Sequence, residues 1–110
     1  MPRTFYRIIV AETPTRDDFL SHAAKRKPCY SKDPRVRRSW DAVSVFETED
    51  QARRKATEFP RLGAYIAELE VPDVGPIIYE RTFETPGHYD LRGEPDQLLA
   101  CVVRVAPVKR

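Results

Sequence analysis

The chain has few of the features that announce a function. Two cysteines stand 72 positions apart, Cys29 in a polar, proline-bearing loop and Cys101 inside an apolar run. That spacing matches no metal motif and argues against a structural disulfide; Cys101 reads as a small core residue. No apolar run approaches the roughly 18 residues of a membrane span. The opening "MPRTFYRIIVAE" lacks the layout of a secretory signal, because its apolar part is short and Glu12 and Asp17 follow closely. A soluble cytoplasmic protein without membrane contact is the expectation. No P-loop, GxGxxG or GxSxG is present, and no metal is expected.

What is present suits one domain. The 110 residues are 41% apolar and 33% charged, enough for a core and a well-solvated surface. The net charge of +2 is unevenly spread: residues 1–61 carry 14 Lys and Arg against 9 Asp and Glu, the remainder 5 against 8. The basic excess gathers in "KRKPCYSKDPRVRR", Lys25 to Arg38. Such a stretch suits a phosphate-bearing small molecule, a nucleic acid or a protein partner, and equally a solvated loop.

The pattern predicts a strand over Thr4–Ala11, apolar on both faces except at Arg7 and therefore central. A helix is expected from Thr13-Pro14 to Lys27, with Phe19, Leu20, Ala23 and Ala24 on one face. A short helical turn follows from Asp33-Pro34 to Arg38. Ala42–Phe46 is a second strand. Thr48 and Gln51 then have capping-box spacing for a helix to about Phe59. Gly63–Val71 and Ile77–Phe83 read as strands, Thr85–Asp96 as loop, and Gln97–Val105 as the last strand. The expected fold is α+β, with two main helices on a twisted, mostly antiparallel sheet of five or six strands.

Few side chains stand out chemically. Arg7 interrupts an apolar strand beside Tyr6, so it either holds a phosphate or carboxylate ligand or pairs internally with a carboxylate such as Glu68 or Glu70. His88 sits in "TPGHYDL", a loop-like stretch suited to ligand contact or proton transfer. His22 lies among alanines with no spaced second ligand. Glu68 and Glu70 share a strand face, a pattern of glycoside chemistry but also of a wet face.

Taken in order, "FYRIIV", "AVSVFETEDQARRKA", "AYIAELEVPD" and "GEPDQLLACVVRV" resemble the segments of a small ADP-ribosyltransferase-like fold, as in RES-type NAD-consuming domains. The resemblance implies that NAD or a related nucleotide is the ligand. Arg7, in a pair with Tyr6, would hold the phosphates or ribose, and Ser44 would shape the nicotinamide pocket; His88, read from its own loop and not from the resemblance, is a further candidate contact. Gln97 falls where that family carries its catalytic glutamate, and Glu94 or Asp96 reaches the position only with a shift of register. A neutral glutamine there supplies a hydrogen bond without the charge that stabilises a cationic sugar.

Overall fold

The β-branched and aromatic residues of the first segment form β1 (Arg3–Ile9), and the rest of the sheet assembles around it. The structure, a computed structural model, describes residues 2–82 and 86–109. After β1 come α1 (Pro34–Ser39), β2 (Val43–Phe46), α2 (Glu49–Glu58), β3 (Tyr65–Val71), β4 (Ile78–Arg81), β5 (His88–Arg92), α3 (Pro95–Ala100) and β6 (Val102–Pro107). Among the described residues the six strands form one sheet in the order β4-β5-β2-β1-β3-β6, every neighbouring pair antiparallel. The domain is α+β, as the pattern predicts. No helix of the described residues is long and apolar enough to cross a membrane.

Strand alternation divides the apolar residues between the two faces of the sheet. One face collects Phe5, Ile9, Val45, Leu69 and Leu91, covered by Phe19 and Leu98 from outside the strands. The other collects Phe46 and Ile66 under Ala52 of α2, with Tyr6 and Ile8 at its margin. Ala52 and Ala56 are buried and small, so α2 lies close on the sheet. The helix starts where expected. Thr48 Oγ1 accepts from the Gln51 backbone N–H at 3.2 Å, and the Gln51 side chain accepts from the Thr48 N–H at 3.1 Å.

Three expected elements are different. The helix over 13–27 is replaced by a single 3-10 turn, Arg16–Phe19, followed by extended Leu20. Its cap is Thr15, whose N–H donates to the Asp18 carboxylate at 2.8 Å. Only Phe19 of the supposed apolar face is buried; Ala23 and Ala24 are solvated, so nothing rewards continuing the helix. The expected 85–96 loop contains β5, an inner strand. Tyr89 and Leu91 face the core and alternate with His88 and Asp90, a period of two that the neighbouring Gly and Pro obscure. Finally, the expected last strand over 97–105 begins as α3, because Pro95 at the first helical position and Leu98 in the core favour a helical turn before β6. Of the expected strand 77–83, residue 83 lies outside the described residues, as does residue 85.

Candidate functional site

β1 and β2 part company early. Among the described residues they pair only at Tyr6 and Phe46. Continuing that register would set Ile8 opposite Ser44, yet the Ser44 carbonyl accepts instead from Arg7 Nη1 at 2.7 Å. Arg7 Nε donates to the Asp18 carbonyl, also at 2.7 Å. The guanidinium therefore ties the 3-10 turn to β2 across the gap between the strands. Among the described residues no carboxylate is within ion-pair distance of it; Glu68, a candidate partner from the sequence, is engaged by Arg104 at 3.3 Å. Burial pushes the Arg7 pKa down to about 10, partly opposed by the nearby Asp18 charge. Arg7 remains cationic at neutral pH, with two of its five N–H groups committed to these carbonyls.

The parting of the strands opens into a cleft of about 550 Å³. Arg7, Ser44 and His88 all line it. β5 places His88 opposite Phe46 and Asp90 opposite Ser44, so both polar side chains stand on the cleft face of the sheet. His88 is buried, its Nδ1 lies 2.5 Å from Thr82 Oγ1, and its ring meets Phe46 edge-on at 5.4 Å. Asp90 is only 3% exposed. The Ser39 hydroxyl donates to it at 2.5 Å, and Arg92 Nη2 lies 4.0 Å away. Among the described residues Asp90 is the one carboxylate lining this cleft, against Arg7, Lys25, Lys27, Lys55 and Arg61.

The basic stretch contributes to the cleft unequally. Lys25 and Lys27 line it. Three of the arginines are turned to the protein itself: Arg35 to Asp33, Arg37 to the carbonyls of Cys29 and Ser31, and Arg38 to Glu80. At the same rim the His22 and Trp40 rings stack, with centroids 4.5 Å apart and planes 29° from parallel. The His22 pKa is lowered by burial, then by the charges of Lys27, Lys25 and Arg7.

Three sequence candidates lie elsewhere. Tyr6 points towards α2 and does not line the cleft; burial raises its phenol pKa, and Glu68 adds to the rise. Gln97 and Glu94 are exposed on and before α3, which packs against the 3-10 turn, and neither lines the cleft. The geometry that sequence reasoning misses is Asp90 with Ser39 and the His22–Trp40 pair. The alternation of His88 and Asp90 with Tyr89 and Leu91 is the signal that could have revealed the first. Nothing local reveals the second, since the two rings are 18 positions apart.

Among the described residues no group of three or more His, Cys, Asp or Glu side chains is gathered as a metal ion would need. No protein-family model, curated protein or solved structure matches the chain.

Proposed function

We propose that the protein binds NAD or a related phosphate-bearing nucleotide in the cleft between β1 and β2. The observation that carries this reading is the meeting of Arg7, Ser44 and His88 in one cleft whose described lining residues include five cations and one carboxylate. A dinucleotide has two needs, a cationic seat for its phosphates and a partly apolar wall for its rings, and this lining has both kinds of group. A half-buried guanidinium lacking a carboxylate partner among the described residues pays desolvation that an anionic ligand would offset. The basic stretch spends three arginines on internal contacts, which favours a small ligand over a nucleic-acid backbone.

Cleavage of the bond between ribose and nicotinamide requires stabilisation of a cationic sugar. Gln97 and Glu94 do not line the cleft, so turnover would rest on Asp90, the carboxylate that lines it among the described residues. Calorimetric titration and thermal unfolding with NAD test binding, and chromatography of nicotinamide tests turnover. A rise in melting temperature with NAD, lost in Arg7→Ala, is expected. No binding heat and no shift with NAD, ADP-ribose or ADP would overturn the reading.

A further inference from the structure

We infer that the stacked His22–Trp40 pair at the rim of the cleft is a platform for the planar base of a nucleotide, with Arg7, Lys25 and Lys27 beside it receiving the phosphates. This rests on the nucleotide reading above and adds where the base sits and how it is recognised.

Two separate segments build the platform. His22 comes from the turn after the 3-10 turn, and Trp40 from the end of α1. Trp40 is held in place at two points: its indole N–H donates to the Lys27 carbonyl at 2.7 Å, and its own carbonyl accepts from the Ala23 N–H at 3.0 Å. With the N–H spent on the backbone, the indole can offer a ligand only its π-surface. His22 is exposed and lies nearly parallel on that indole, so the pile of rings ends on a face that a third ring can extend. Partial burial of the ring against Trp40, and then the charges of Lys27, Lys25 and Arg7, disfavour the protonated form of His22, and a neutral imidazole can stack without adding charge.

The surroundings select the ligand class. His22, Trp40, Lys25, Lys27 and Arg7 all line the same cleft. Rings alone would accept any aromatic compound, and lysines alone any anion. Together they fit a molecule carrying a base and phosphates a few ångströms apart. Because stacking uses the π-face that every base has, the platform tolerates different bases and favours the larger purines.

The test uses the intact protein with ADP and with inorganic pyrophosphate, titrated by calorimetry and by the emission of Trp40, the only tryptophan in the chain. ADP is expected to quench that emission and to bind more tightly than pyrophosphate. His22→Ala, an exposed substitution, should weaken ADP roughly 5- to 100-fold and leave pyrophosphate unchanged. Trp40→Phe, which keeps a ring, should retain more ADP affinity than Trp40→Leu. If wild-type protein binds ADP and pyrophosphate equally and His22→Ala moves neither, the platform is refuted while the phosphate site stands. If it binds neither, the nucleotide reading fails and the platform with it.

Discussion

Arg7 on β1 and Ser44 on β2 are joined by a side chain where two strands would otherwise pair through their backbones. The Nη1–H to carbonyl bond of 2.7 Å occupies an acceptor that sheet pairing would have used. The opening between the strands and the position of its cation are therefore one feature, and substitutions on either side of it separate ligand binding from folding.

Arg7→Met should abolish nucleotide-dependent stabilisation. The cost to the unliganded fold at pH 7 should be modest, about 1–2 kcal/mol, since relief of a buried charge offsets two carbonyls left to water. Urea unfolding with and without NAD measures both. Gln97→Ala, on α3, should change neither.

The pKa of Arg7 predicts a pH effect of defined sign. Its folded value, about 10, lies below the ordinary arginine range, so above about pH 10 the unfolded chain binds the proton more tightly. The contribution of Arg7 to stability should rise with pH across that window and stay flat below it. Comparing wild type and Arg7→Met by alkaline unfolding isolates it; a difference between them that stays constant from pH 9 to 12 would contradict it.

Ser39→Ala removes the hydroxyl that donates to the buried Asp90 carboxylate. A hydrogen bond to a charged acceptor contributes about 1.5–3 kcal/mol, so a fall of that size is expected in denaturant unfolding. Ser39→Thr, which keeps the donor, should recover part of it.

Acid should act through Glu49. Hydrogen bonds from Arg53 first, at 2.8 Å, and then from Arg104 hold its carboxyl below the usual range. A folded pKa below the unfolded one gives stability that is present above the unfolded value of about 4.5 and is lost as pH falls through the folded value. Glu49→Gln should flatten that part of the acid limb, by no more than about 1 kcal/mol for a pair near the surface.

Gly63→Ala should be severe. At φ 152° a Cβ would stand 2.1 Å from the Ile9 carbonyl oxygen, which no side-chain rotation relieves. A loss of more than about 2 kcal/mol is expected, read from the urea midpoint.

Much of the frame is written locally. Strand alternation in β1 and β3, the Thr48–Gln51 cap and the buried alanines of α2 depend on neighbours one to four residues away, so a sequence displays them. The lone Arg7 is legible for the same reason, since a charge in an apolar strand is conspicuous wherever the strand goes. Local pattern misleads where burial is decided by distant segments. Ala23 and Ala24 look like a helix face but no element covers them, whereas His88-Tyr89-Asp90-Leu91 looks like loop but is enclosed between β4 and β2.

By itself the sequence determined the α+β class, the central place of β1 and the one anomalous cation. Periodicity, capping and the cost of burying charge all act within or beside a single segment. Tertiary structure alone decided that Arg7 meets carbonyls instead of Glu68 or Glu70, that His88 and Asp90 join Ser44 at the cleft, and that Gln97 and Glu94 do not. Those outcomes follow from strand order and register. Which strand lies beside which is chosen by packing of the whole core, and no short stretch of residues carries that choice.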